Sequence, residues 1–234
     1  MAVAPQTHTA PVQAPPLVPT GFPRVFSAVE FAAGAFFVFA YNVFHILPNE
    51  VPILCGLGLL SYRLRNGGWA AMGLARPASW TRIVLIGAAA AVARMVIGEG
   101  VGALTAGWWP AVATPEDFSA IRGNALVAGR WLLTVWTFAA FGEEVGYRGY
   151  LLGRAADVGG RSPGAYWLAL VLTSVLFGVG HAYKGPAGMI DSGVGGLVFG
   201  AAYLLSGRNL WAAIFAHGLV DTAGVCLLYF GLAS

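Results

Sequence analysis

The chain has 234 residues, of which 58% are hydrophobic and only 10% are charged, whereas about 25% of the residues of soluble domains are charged. So much apolar surface does not fit inside one soluble core of this length, and the composition also excludes a disordered chain. With 13 Lys and Arg against 10 Asp and Glu, no basic stripe is available for phosphates, so we expect no nucleic-acid partner. An all-α, polytopic membrane protein in contact with the lipid bilayer remains.

The amino-terminal segment differs from the rest of the chain. Residues 1–22 are rich in Pro, Ala, Val and Thr and contain no Asp, Glu, Lys or Arg. We predict a disordered tail there, and not a signal peptide, because the charged region that precedes the apolar core of a signal peptide is missing. Residues 23–234 are predicted to form a single integral-membrane domain.

Apolar blocks fill that domain. They cover 25–46, 51–62, 83–101, 125–152, 165–181, 187–205 and 210–232. About 20 helical residues cross the hydrocarbon layer; six blocks approach this length, and 51–62 is too short to cross alone. The blocks show no alternation of apolar and polar residues, which argues against a barrel. The pattern predicts a transmembrane bundle of about seven to eight helices.

The arginines of the connecting loops indicate an orientation. They cluster before the first block and in every second loop, at Arg24, Arg63, Arg65, Arg76, Arg82, Arg154, Arg161 and Arg208, while the other loops hold Glu50, Glu116, Asp117, Arg122 and Lys184. Positive loops stay in the cytoplasm, so we expect a cytoplasmic amino terminus in the plasma membrane of a prokaryote. The alternation fails if 51–62 does not span.

Ionisable residues inside spanning helices are costly and suggest function. Some have simple explanations: we expect Glu30, Arg94, Glu99 and Arg130 to reach the interface or to form plain ion pairs. Asp191 opens the stretch Asp-Ser-Gly-Val-Gly-Gly, and we expect it to cap a helix near the interface.

Two adjacent carboxylates in the fourth block stand out from these. In Phe141-Gly-Glu-Glu-Val-Gly-Tyr-Arg148, Glu144 and Arg148 are four residues apart, so they share a helix face and can pair. Glu143 points about 100° away, and is therefore free to hold a water molecule or a metal ion. The simpler alternative is a structural ion pair with one spare acid.

Of the four histidines, His8 lies in the tail and His45 at the end of the first block, while the other two belong to later apolar blocks. His181 closes the fifth block, and His217 lies one turn before Asp221 in the seventh. With a rise of about 1.5 Å per residue, Glu143, His181, His217 and Asp221 reach similar depths in the membrane. A lone histidine in a membrane is usually a packed, hydrogen-bonded residue, but two histidines beside buried acids favour a site.

These residue types suit the activation of water in two ways. Either Glu143, His181 and His217 hold a Zn²⁺ ion whose bound water becomes the nucleophile. Or Glu143 and His181 activate water directly, while His217 and Asp221 stabilise the oxyanion. The sequence leaves both versions open.

The combined motifs resemble a known family. Glu143-Glu144-x-x-x-Arg148, Phe177-x-x-x-His181 and His217-x-x-x-Asp221 are similar in order and spacing to the CPBP family of CAAX proteases and bacteriocin-processing enzymes, also called the ABI family. The resemblance covers about 140–225 and implies that 125–225 is a catalytic core within the membrane. It implies a base or ligand at Glu143 and support from Glu144 and Arg148. The family has Asn or Asp at the last position, and a metal-free glutamate mechanism is argued for some members.

We therefore expect an intramembrane endopeptidase that cleaves membrane-associated protein or peptide substrates with water activated by glutamate and histidine, with or without a metal. Two alternatives remain. One is a non-catalytic immunity or scaffold protein that keeps the motifs, and the other is a small transporter or proton relay built on the buried acids.

Overall fold

The computed structural model describes residues 23–65, 67–109 and 118–232. The helices are α1 (Arg24–Asn42), α2 (Glu50–Leu64), α3 (Trp80–Thr105), α4 (Ala125–Val158), α5 (Pro163–Val179), α6 (Gly185–Leu205) and α7 (Leu210–Phe230), with short helical turns at Ala70–Leu74, Phe118–Ile121 and Ala182–Lys184. No strand occurs in the described ranges. The all-α bundle of about seven to eight helices is confirmed, whereas the tail predicted at 1–22 and the loop acids Glu116 and Asp117 lie outside these ranges.

Most helices begin at a residue that suits the start of a helix. The side-chain oxygen of the preceding residue accepts a hydrogen bond from a first-turn N–H group at Asn49, Ser79, Asn124, Ser162 and Asn209. Backbone donors at a helix end need such partners, above all near lipid. The caps explain why α2, α3, α4, α5 and α7 begin where they do.

The helices differ in their ability to cross a membrane. Among the described residues, five helices are long and apolar enough: α1, α3, α4, α7, and α6 together with the turn before it. The 15 residues of α2 extend only about 22 Å, less than the hydrocarbon thickness of about 30 Å. The alternation of arginine-rich loops between the two sides of the membrane therefore stays a prediction. The cytoplasmic amino terminus, which depends on it, stays a prediction as well.

The middle of α4 is wound more widely than an α-helix. Over Val135–Leu151 the helix is of the π type, and the N–H group of Leu152 donates to the carbonyl of Tyr147, five residues back. Such turns are rare in proteins, and many of those that occur lie at functional sites. Every residue from 144 to 151 is buried, so α4 carries its charged motif through the centre of the bundle, away from lipid.

Small residues bring the neighbouring helices close to this segment. A Cβ atom added at Gly178 of α5 would lie 2.6 Å from the carbonyl oxygen of Met189 in α6. Only glycine permits this approach, which is a common means of packing helices in lipid. It places the end of α5, with Phe177, against α6 and near the π segment of α4.

The expectation for Asp191 is wrong. α6 begins at Gly185, so Asp191 lies inside the helix and not at its cap. Its carboxylate pairs with the Nη2 atom of Arg94 in α3 at 2.5 Å. The gain from pairing two charges next to lipid outweighs any role as a cap, and Arg94 forms the plain ion pair that we expected.

Candidate active site

Glu144 joins two helices at the centre of the site. One of its carboxylate oxygens, Oε1, accepts hydrogen bonds from Nη1 of Arg148 at 3.0 Å and from Nδ1 of His217 at 2.9 Å. The Glu144 side chain is completely buried and that of Arg148 is 1% exposed. The pair expected from the spacing of four residues is therefore present, and it also anchors a histidine from α7.

Arg148 has partners on three sides. Besides its bond to Glu144, its Nη2 atom donates to the carbonyl of Gly196 in α6 at 3.1 Å. The guanidinium group also lies 4.3 Å from the centre of the Phe177 ring, at a distance typical of a cation–π contact. A buried ion pair needs such additional bonds to offset the loss of water, so Arg148 supports the site structurally.

His217 lies between two acids. Its Nδ1 atom faces Glu144, and its Nε2 atom lies 3.5 Å from Oδ2 of Asp221, one turn further along α7. The ring stacks on Phe199, with 4.6 Å between the centres and 16° between the planes. Because both ring nitrogens face carboxylates, the doubly protonated imidazolium matches both partners.

His181 follows the end of α5 and is oriented by its own helix. Its Nδ1 atom lies 2.9 Å from the carbonyl oxygen of Phe177, and the centres of the two rings are 4.7 Å apart. A carbonyl oxygen only accepts hydrogen bonds, so Nδ1 carries the proton and Nε2 is left as an acceptor. Such an imidazole can hold or accept a proton from water.

Glu143 contrasts with its neighbour. Its Oε2 atom is buried without a hydrogen-bond partner, and within the described ranges the side chain forms no ion pair. The charges of His217, Asp221, Glu144 and Arg148 all act on its carboxylate. Glu143 thus has a buried carboxylate oxygen without a hydrogen-bond partner next to these charged groups.

The two histidines approach each other through a shared aromatic ring. The Phe177 ring lies 4.7 Å from the ring of His181 and 6.1 Å from that of His217, and the charges of His217 and Arg148 act on His181. The three segments that carry the predicted site residues are therefore brought together: the π segment of α4, the end of α5, and the third and fourth turns of α7.

The zinc version of the site needs His217 as a ligand. Its Nδ1 atom faces Glu144, and a carboxylate on one ring nitrogen is common in histidines that bind a metal through the other. In the part of the chain that the structure describes, no group of three or more His, Cys, Asp or Glu side chains is placed to hold a metal ion. A Zn²⁺ ion held by Glu143, His181 and His217 stays a prediction, and no step below depends on it.

Sequence reasoning missed one buried acid near this cluster. Glu50, which we expected in a loop, is 4% exposed and begins α2. Its Oε1 atom accepts a hydrogen bond from the hydroxyl of Tyr147 at 3.0 Å. Tyr147 lies in the motif of α4, but nothing in the sequence separates Glu50 from an ordinary acidic residue in the first turn of a helix.

Comparison with known proteins agrees with this picture. Residues 126–223 match the family model described as Rce1-like, type II CAAX prenyl endopeptidase. The match covers less than half of the chain, runs from α4 into α7 and contains all six predicted site residues. No curated protein and no solved structure matches the chain.

The resemblance to the CPBP family of CAAX proteases is thereby confirmed for this region. The family implies a protease, and the five membrane-length helices indicate an integral membrane protein.

Proposed function

We propose that the protein is an intramembrane endopeptidase that hydrolyses a peptide bond of a membrane-associated protein or peptide. The observation that carries this proposal is Glu143. Its carboxylate is aimed into a cluster of charged groups, yet one oxygen is buried without a partner. Buried polar groups are almost always hydrogen-bonded, and a catalytic base with a free oxygen is a known kind of exception.

In the proposed reaction Glu143 is the general base. It takes a proton from a water molecule that His181 positions through its free Nε2 atom. The water oxygen attacks the carbonyl carbon of the substrate, and Glu143 then passes the proton to the leaving amine. Water is consumed, one C–N bond breaks, and the carboxylate is regenerated.

His217 and Asp221 face the developing negative charge. The Nε2 atom of the His217 imidazolium lies 3.5 Å from Oδ2 of Asp221, too far for a strong hydrogen bond, so its N–H group can donate to an oxyanion. Glu144 and Arg148 hold the ring in place through Nδ1. Donors fixed in advance around the oxyanion supply a large share of catalysis in acyl transfer.

The location of the site supports a membrane-anchored substrate. Glu143 and His217 lie within α4 and α7, which are long enough to span the membrane, and we therefore propose that the substrate enters from the bilayer or is anchored in it. The matched family acts on CAAX prenyl proteins by its description; for this chain we propose a membrane-anchored peptide and let experiment decide whether a prenyl group is needed. We also propose a cytoplasmic amino terminus and a prokaryotic plasma membrane.

The direct test uses the purified chain in lipid nanodiscs with a panel of internally quenched peptides. The panel contains peptides with a prenylated cysteine near the carboxyl terminus, the same peptides without the prenyl group, and peptides with a hydrophobic anchor segment. Mass spectrometry identifies the cleaved bond. We expect cleavage of at least one anchored peptide by the wild type.

His181→Asn should remove that cleavage without lowering thermal stability, because the imidazole has one backbone bond in the fold. Glu99→Gln is the matched control, since Glu99 is an exposed acid of α3. Cleavage that survives in His181→Asn, or that is absent from every anchored peptide, would contradict the proposal.

A further inference from the structure

Glu50 is a buried acid that the proposed reaction does not use. It lies at the start of α2, outside the matched residues 126–223, and is 4% exposed. Its Oε1 atom accepts the hydrogen bond of the Tyr147 hydroxyl, while its Oε2 atom is buried without a partner. Burying a carboxylate with so few partners is costly, and such residues in membrane proteins usually serve a function.

The local structure tolerates this charge in part through its helix. Glu50 lies in the first turn of α2, where the helix dipole favours an anion. With the hydrogen bond from the Tyr147 hydroxyl, the carboxylate is held between α2 and α4.

Tyr147 carries the effect of Glu50 into the site. Its ring is 1% exposed and stands edge-on to Phe177, with 5.1 Å between the ring centres and 90° between the planes. The charges of both Glu50 and Glu143 act on its hydroxyl. The hydroxyl is thus bonded to the acid of α2 while its ring packs on Phe177 of α5.

The same hydroxyl occupies the space where a side chain at Gly180, next to His181, would lie. A Cβ atom added at Gly180 would lie 2.6 Å from the Tyr147 hydroxyl and 3.4 Å from Oε1 of Glu50. The chain leaves α5 at this glycine, and His181 is the next residue. The position of the hydroxyl therefore limits where the His181 backbone can lie.

We propose that Glu50 is a positioning residue of the active site. Through its hydrogen bond it fixes the hydroxyl of Tyr147, and this hydroxyl holds the Gly180–His181 segment at the distance from Glu143 that the reaction needs. The inference rests on the proposed function for its catalytic consequence, but its structural part can be measured without a substrate.

The structural part is tested by NMR of the full chain in nanodiscs with isotope-labelled histidine. The chain has four histidines, and His181→Asn identifies the His181 resonance. Glu50→Ala and Tyr147→Phe should both shift that resonance. Glu50→Gln should leave it in place, because the amide oxygen still accepts the hydroxyl bond.

Tyr150→Phe is the matched control. Tyr150 is three residues further along α4 and equally buried, but its hydroxyl faces the backbone of Glu30 in α1. The Tyr150→Phe variant lacks this hydroxyl and should leave the His181 resonance at its wild-type position. Because Tyr147→Phe removes a single oxygen atom, it keeps the test valid if Glu50→Ala does not fold.

The catalytic part is measured on whichever anchored peptide the wild type cleaves. Glu50→Ala and Tyr147→Phe should lower kcat by about tenfold to a hundredfold, as expected for a displaced catalytic group, with KM unchanged. Glu50→Gln should restore kcat, and the double variant should be no worse than either single one.

Two results would overturn the inference. One is a His181 resonance in Glu50→Ala and Tyr147→Phe that coincides with that of the wild type. The other is a Glu50→Gln variant as impaired as Glu50→Ala, which would assign the effect to charge. A failure of the proposed function would instead appear as cleavage that persists in Glu143→Gln, whatever the NMR spectra show.

Discussion

The middle and the carboxyl end of α4 both carry acids and arginines away from lipid, but they pair them differently. Towards its carboxyl end lies a group that we call the basal cluster: Ser27, Glu30, Ser61, Arg65, Arg154 and Asp157. There Glu30 accepts from Arg65 at 2.7 Å and from Ser61 at 2.6 Å. Asp157 pairs with Arg154 at 3.2 Å and accepts from Ser27 at the same distance.

In the active site one acid is left out of such pairing. Glu144 is bonded to Arg148 and His217, whereas Glu143 forms neither a hydrogen bond nor an ion pair within the described ranges. Both acids of the basal cluster have cationic partners. The difference teaches that burial of a charge does not identify a catalytic residue. The useful sign is a buried carboxylate whose neighbours are all engaged with other groups.

The largest effect should follow from breaking the central pair of the active site. Arg148→Met leaves Glu144 as a buried charge with only His217 to compensate it, and we expect a loss of about 3–5 kcal/mol in the free energy of unfolding. Denaturant titration of the purified protein in micelles measures this loss. Arg130→Met, at an exposed position of the same helix, should change it little. Equal stability of the two variants would contradict the role given to Arg148.

A smaller effect is expected in the basal cluster. Asp157→Asn weakens the bonds from Arg154 and Ser27 and should cost about 1.5–3 kcal/mol of unfolding free energy, as for hydrogen bonds to charged groups. The cleavage rate per folded molecule should stay at the wild-type value, because this cluster supports the fold alone. A lower rate at unchanged stability would show that the basal cluster takes part in the chemistry and would remove the contrast between the two regions of α4.

The smallest effect should come from the pair between α3 and α6. The side chain of Asp191 is 35% exposed, so Asp191→Asn should reduce the free energy of unfolding by at most about 1 kcal/mol. Cleavage should be unaffected. The denaturant titration used for Arg148→Met measures this change. A loss of unfolding free energy as large as that of Asp157→Asn would mean that burial does not determine how much each of the three ion pairs contributes to stability.

The sequence predicts the helices better than it predicts the contacts between them. The apolar blocks predict seven helices close to their observed bounds, because a helix in the membrane must be apolar over the length that lies in the hydrocarbon layer. The pairing of Glu144 with Arg148 follows from helical spacing alone. The wide winding of Val135–Leu151 could not be predicted, since the backbone pattern depends on packing against other helices.

The tertiary contacts of the site could not be predicted from the sequence for a similar reason. The hydrogen bond between Glu144 and His217 joins residues 73 positions apart in the sequence. Counting residues along each helix predicts only that such residues lie at a similar depth in the membrane. Glu50 looked like an ordinary first-turn acid, and Asp191 like a cap. In each case the partner lies on another helix, Tyr147 for Glu50 and Arg94 for Asp191, so no local pattern reveals it.

The central claim is that Glu143 activates water, and the Glu143→Gln variant tests it most directly. The measurement is the cleavage rate of one anchored peptide by the variant relative to the wild type, at equal amounts of folded protein in nanodiscs. Glutamine keeps the size and loses the base, so the account predicts a rate lower by about a thousandfold with unchanged thermal stability. A rate close to that of the wild type in a fully folded variant would contradict it.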